Sequence, residues 1–255
     1  MAPPSFDGLL VRALSPLPDV RPGDDLAALL AQAAPPDLAG EDVLVVAHKV
    51  VSKAEGRLRS LQSISPGERA CALAAEHRKD PRLVQAVLDE SAALLRARDG
   101  VLICETRHGF VCANAGVDQS NASSEGELVL LPDHPDASAR RLREGIGAVL
   151  GVRPAVVVAD SFGRAWRLGQ TDVAIGVAGL APMDQWIGRP DAYGRELRAT
   201  SIAIADAVAA ASDLARAKDS RRPAVLVRGL AQHVTAGDGP GAAALRRPRG
   251  QDLFR

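Results

Sequence analysis

The chain has 255 residues, with Lys+Arg and Asp+Glu both at 31, zero formal net charge and only 3% aromatic residues. That length can bury one large core or two small interlocked ones. Balanced charge argues against a polyanion-binding field or a solvated acidic tail, and so few aromatics leave little stacking surface for bases or sugars, so no nucleic-acid partner is expected. No apolar stretch approaches the ~20 residues of a membrane span, and the first seven residues lack a basic-then-apolar leader pattern. A cytoplasmic protein with no membrane partner is the expectation.

Residues 9–14 read as a first strand, followed by a Pro-rich loop over 15–22. Asp24 is a candidate N-cap for a helix through Leu26, Leu29 and Leu30, stopped by Pro35-Pro36. Residues 42–47 are a short apolar run of buried-strand type that leads directly into Lys49-Val50-Val51-Ser52-Lys53-Ala54-Glu55-Gly56. Ser65 and Glu68 match a capping box for a helix whose spacing continues through Leu83, Val84, Val87, Leu88 and Ser91. Residues 101–106 and 109–113 suggest a hairpin around Arg107-His108, and 127–131 a further strand.

An amphipathic helix is predicted over 136–149, from Leu142, Ile146 and Val149 on one side. Residues 154–159, almost wholly β-branched or small, are a strand, as are 172–179 and 224–228; an Ala-rich helix is expected over 195–218. Helices and strands mix without strict βαβ alternation, so the expected class is α+β, an irregular α/β. Beyond Gly229 the composition turns to Gly, Ala, Pro and Arg, which predicts a mobile tail over 230–255. Cys71, Cys104 and Cys112 fit neither a disulfide framework nor a zinc site and read as small core residues.

Two segments carry most of the chemistry. One is His108-Gly109-Phe110-Val111-Cys112-Ala113-Asn114-Ala115-Gly116-Val117-Asp118-Gln119-Ser120-Asn121, the other Asp160-Ser161-Phe162-Gly163-Arg164-Ala165-Trp166-Arg167. Each sets an Asp beside hydroxyl or amide residues at the expected end of a strand. Hard oxygens of this kind suit Mg²⁺ or Mn²⁺, although an Asp there can equally cap its own turn. Lys49 and Lys53, just past an apolar strand, are either solvated or phosphate contacts. Arg164 and Arg167 either neutralise the acidic cluster or stabilise charge on a transferring phosphoryl group. Gly169, Gly176 and Gly179 read as turn and close-packing positions. No Walker A loop, no Gly-x-Ser-x-Gly elbow and no His pair at metal-binding spacing occurs.

The run 50–57, the run 108–121 and the run 160–179 together resemble the coenzyme F-420-0:L-glutamate ligase family, also called coenzyme F-420:gamma-glutamyl ligase, from Leu17 to about Gly229. The resemblance implies a two-subdomain α/β protein that pairs as an intertwined homodimer. It implies a GTP-dependent enzyme that joins L-glutamate to a deazaflavin precursor through an acyl phosphate, using Mg²⁺ or Mn²⁺ with K⁺ as a helper ion. Position by position, it implies that Asp118 and Asp160 hold a first metal and Ser161 a second. Leu17, Pro18, Asp19, Val20, His48, Lys53 and Asn121 fall at GTP-site positions, and Lys53 and Arg164 would offset charge in the transition state.

Three departures stand out. His48 replaces a small hydroxyl residue, Ala207 stands where an acid is usual, and the stretch from Leu214 to Lys218 lacks a Met-Gly step. A metal-dependent nucleotide phosphohydrolase and a non-catalytic nucleotide- or deazaflavin-binding protein remain alternative readings.

Overall fold

The computed structural model describes residues 8–120, 126–217 and 219–253. In chain order the elements are β1 (Leu10–Ala13), α1 (Leu26–Ala33), β2 (Val43–Ala47), α2 (His48–Ala54), β3 (Leu58–Ser60), α3 (Glu68–His77), α4 (Pro81–Asp89), β4 (Ser91–Arg98), β5 (Val101–Thr106) and β6 (Val111–Ala113). There follow β7 (Glu127–Val129), α5 (Pro135–Leu150), β8 (Ala155–Arg164), β9 (Arg167–Ala178), β10 (Asp184–Gln185), β11 (Ser201–Ile202), α6 (Ile204–Asp213) and β12 (Ala224–Arg228). The mixture is α+β, as its order in the sequence suggests.

The main sheet has the order β1-β12-β2-β8-β9. Its centre, β2, reads Val-Leu-Val-Val-Ala and is buried on both faces, as a strand covered by helices on either side must be. β2 and β8 run parallel, from Val43↔Ala155 to Ala47↔Ala159, and the other pairs are antiparallel. Alternate residues divide between two cores, following the period of two along a strand. Leu44, Val46, Val156 and Val158 pack with Leu30 of α1 and Ile146 of α5. Val43, Val45 and Val157 pack with Val208 and Ala209 of α6 on the opposite face. A third cluster, with Val84, Val87, Leu102, Cys104 and Leu128, lies between α4, the β4-β5-β6 sheet and β7.

Several expectations are corrected. Asp25, not Asp24, caps α1 by accepting from the Ala28 N–H, while Asp24 accepts from the Arg21 N–H in the preceding turn. The long helix expected to end at Ser91 is two helices, because Arg78 adopts a left-handed conformation (φ 54°) and Asp80-Pro81 starts α4 with its own cap and a proline in the first turn. The capping box at Ser65 does not form; Gly67 is the cap and its N–H donates to Gln85 Oε1. Ser91 instead opens β4, whose Ala- and Leu-rich sequence is held extended by pairing with β5 through two register shifts. The Ala-rich helix covers only Ile204–Asp213, since the chain before it is drawn into a short pairing of β10 with β11. Cys71 is exposed, whereas Cys104 and Cys112 are buried as expected.

Two of the singled-out glycines are close-packing positions. A Cβ on Gly176 would sit 2.3 Å from the Pro135 carbonyl oxygen, so glycine is what lets the start of α5 rest on β9. Gly179 has φ +76° and lies under the Arg143 side chain. Residues beyond Gly229, expected as a tail, pack back on the domain through Arg143. This residue is 3% exposed; it donates to the Thr235 and Ala236 carbonyls and pairs with Asp238 at 2.8 Å. Arg143→Met keeps the stem but strands those acceptors and is expected to cost about 3 kcal/mol of stability. Chemical denaturation of the purified variant against the parent checks this.

Candidate functional site

A cavity of about 560 Å³ opens at the carboxyl end of β2, beside the middle of its parallel neighbour β8. Its walls come from four stretches far apart in sequence. They are the loop after β1 (Leu17, Pro18, Asp19 and Val20), the start of α2, the segment of β8 and β9 around Asp160, Ser161 and Asp172, and the connection from Arg216 to Pro223. The loop is anchored by Leu17 and Val20, both buried, and by the Leu17 N–H donating to the Arg221 carbonyl at 3.1 Å.

Local geometry follows from the abrupt join of β2 to α2. With no loop between them, His48 and Lys49 leave the last turn of the strand directly over the sheet's end, and Lys53 falls one helical turn beyond Lys49. Lys53 is 8% exposed and its ammonium lies 3.3 Å from Asp19 Oδ1. His48 is buried, with Nε2 3.1 Å from Asp160 Oδ1 and Nδ1 3.4 Å from Ser52 Oγ. The Lys49 ammonium reaches Asp118 Oδ2 at 2.6 Å and donates to Ser120 Oγ at 2.5 Å. Two consecutive residues thus each engage one of the two carboxylates singled out as metal ligands.

Asp118 also serves its own turn, accepting from the Ser120 N–H at 2.7 Å, as an Asp at such a place commonly does. Burial would raise its carboxyl, but the Lys49 ammonium and the Ser120 donors outweigh it and hold the group below the usual carboxylate range. It is therefore an anion at neutral pH, paired with Lys49. Lys49 lines the cavity and reaches Asp118 from it; Asp118 is not itself part of the cavity wall. Nearby, burial together with the charge of Asp160 pushes the Cys112 thiol up to about 12, so it stays protonated and chemically quiet.

Asp160 and Ser161 sit within β8, not at its end as expected, because the strand runs on to Arg164 and pairs with β9. That extension carries Arg164 away from the cavity to the hairpin turn, where its guanidinium donates to the Leu168 carbonyl at 2.7 Å. Asn121 lies outside the described residues. Sequence reasoning missed two wall residues. Asp172, with no side-chain exposure, accepts from the Ser161 hydroxyl at 2.6 Å and pairs with Arg216. A charged residue directly before the apolar stretch Val173-Ala174-Ile175 was the available signal.

The donor chemistry fits Mg²⁺ or Mn²⁺, since Asp118, Asp160, Ser161 and Asp172 offer hard oxygens and no thiolate. Among the described residues no three His, Cys, Asp or Glu side chains are grouped closely enough to enclose a metal. A cation here would complete its shell with hydroxyl, water and phosphate oxygens, as Mg²⁺ commonly does.

Comparison with known proteins gives the same result as the motifs. The sequence model of the F420-0:Gamma-glutamyl ligase family matches residues 16–229. A protein of Methanopyrus kandleri named coenzyme F420:L-glutamate ligase is 44% identical over 97% of this chain and 99% of its own length. Proteins with the same name from Methanothermobacter thermautotrophicus and Haloarcula marismortui are 41% and 42% identical, over 97% and 96% of this chain and 99% and 95% of their own lengths. With the family model matched over residues 16–229 and relatives more than 40% identical along nearly the whole chain, the chain belongs to the F420-0:gamma-glutamyl ligase family.

Proposed function

We propose that this chain is a ligase of coenzyme F420 biosynthesis, joining L-glutamate to the deazaflavin precursor F420-0 at the expense of GTP. The observation that carries the reading is the cavity: Leu17 to Val20, His48, Lys53, Asp160 and Ser161 are far apart in sequence, yet they line one space at the sheet's end. Family membership and the names of the relatives support the ligation step.

The chemistry needs activation because a carboxylate is a poor acyl donor to an amine at neutral pH. In this reading a phosphoryl group passes from GTP to the precursor's carboxylate, giving an acyl phosphate. The glutamate amine then attacks the acyl carbon and phosphate leaves. A divalent cation pair, bound with the triphosphate and helped by K⁺, would supply charge screening between two anions that otherwise repel. Asp118, Asp160 and Ser161 would hold the cations. Lys53, one turn inside α2 and nearly buried, would give up Asp19 for a phosphate oxygen and offset charge as the phosphoryl group moves. The loop from Leu17 to Val20 would flank the nucleotide and keep water from the acyl phosphate. Arg164 takes no step here, since its guanidinium is committed to its own hairpin.

Incubating the protein with GTP, Mn²⁺, L-glutamate and the deazaflavin precursor should yield a product heavier by one or more glutamyl residues in mass spectrometry. GTP turnover indifferent to both acceptor and glutamate would instead identify a phosphohydrolase. Asp118→Asn and Asp160→Asn are each expected to lower turnover by at least a hundredfold while the circular dichroism spectrum is unchanged; retained turnover at saturating Mg²⁺ counts against the assignment.

The same reading includes pairing with a second copy. Trp166 and Leu168, at the β8–β9 turn, are 82% and 96% exposed. Large apolar side chains at a hairpin tip are suited to burial in a partner. Light scattering should give twice the 26.6 kDa chain mass for the parent, and about the single mass for Trp166→Glu combined with Leu168→Glu.

A further inference from the structure

Asp172 is fully buried at the inner wall of the cavity, where a carboxylate without a counter-charge is strongly disfavoured. One of its oxygens accepts the Ser161 hydroxyl at 2.6 Å, and the other is paired with the guanidinium of Arg216. Arg216 comes from outside the β8–β9 hairpin, just beyond the end of α6. Its position is fixed by a second hydrogen bond, to the Pro223 carbonyl at 3.0 Å.

We propose that Arg216 is a positioning residue for the cation site: by neutralising Asp172 it keeps that carboxylate oriented as the acceptor for Ser161, so that the Ser161 oxygen serves the cavity as a cation ligand. The inference rests on the cation–GTP reading given above. A serine hydroxyl carries one proton and two acceptor pairs. With the proton directed to Asp172, the oxygen can offer only electron pairs elsewhere, which is what a hard cation requires. Arg216 thus does for a hydroxyl ligand what a carboxylate behind a metal-bound histidine does for an imidazole. Without the guanidinium nothing fixes the carboxylate as the acceptor for Ser161, and the hydroxyl proton is free to turn toward the cavity.

The test is Mn²⁺ binding, read from the electron paramagnetic resonance signal of the free aqua ion while the full chain is titrated with GDP present. Arg216→Met, similar in length but uncharged, is expected to weaken Mn²⁺ binding about tenfold, and Arg216→Lys to recover most of that loss. Ser161→Ala should weaken binding to a similar extent, and adding Arg216→Met to it should change nothing further, because both act through one oxygen. Affinity within twofold of the parent in a folded Arg216→Met, or losses that multiply in the double variant, would overturn the inference.

If Arg216→Met does not fold, Asp172→Asn decides the matter. It keeps an acceptor for Ser161 without the charge, so binding within threefold of the parent supports the positioning role. A tenfold loss would make Asp172 itself a ligand and overturn the role. A parent protein that takes up no Mn²⁺ with GDP would fail the cation–GTP reading itself, and the positioning role with it.

Discussion

The parallel pairing of β2 with β8 is the constraint on which the site depends. Its last rung joins Ala47 to Ala159, so the next residues on each strand are His48 and Asp160. At that point the strands diverge: β2 becomes α2 and β8 continues into its hairpin. The imidazole and the carboxylate end up 3.1 Å apart because they are consecutive to a fixed pair. A slip of one residue would turn Val156 and Val158 out of one core and into the other, and would carry Asp160 to the opposite face. The packing of two different helix layers against the sheet therefore sets the position of the site.

The cavity concentrates charge in a chain that carries none overall. Asp19, Asp118, Asp160 and Asp172 each face a basic group, namely Lys53, Lys49, His48 and Arg216. These pairs are not equal in strength. Asp19 is 62% exposed at its side chain, so its attraction for Lys53 is weakened by water and easily exchanged. Asp172 and Arg216 are shielded, at 0% and 10%, and breaking them is costly. On the proposed reading, binding of a cation–triphosphate is an exchange of partners. The lysines move from carboxylate to phosphate, the freed carboxylates turn to the cation, and the buried Asp172–Arg216 pair stays as the fixed frame.

Much of this was legible in the residues, and the parts that were not share a cause. Continuous apolar runs identified β2, the first half of β8 and β12 because a strand covered on both faces has no other composition. Amphipathic spacing identified α5 in the same way. β4 was not assigned, beyond the helical spacing carried to Ser91, because Ser-Ala-Ala-Leu-Leu-Arg-Ala-Arg has a helix former's composition and only pairing with β5 holds it extended. The division of the helix at Arg78 was readable from Asp80-Pro81 and was overlooked. Asp118 and Asp160 were found by residue type, but the placement of Arg164 depends on how far β8 runs, which burial does not mark in an exposed hairpin. Asp172 gains its meaning from Arg216, 44 positions away, and no local pattern links the two.

The positions singled out as departures by the sequence resemblance are not alike in physical weight. Ala207 is an exposed position on α6, and its neighbour Asp206 already turns inward, accepting from the Ala174 N–H at 2.9 Å. Burial raises the Asp206 carboxyl and that single backbone donor only partly opposes it. His48 and Arg216 differ from Ala207 in both place and chemistry: each puts nitrogen donors against a cavity carboxylate from a separate strand of the chain. Both contacts act in the same direction, since each gives a carboxylate at one end of the cavity a fixed nitrogen partner. The expected consequence is a site whose walls hold their geometry before any ligand arrives, which on the proposed reading is the preorganisation that charge stabilisation in phosphoryl transfer requires.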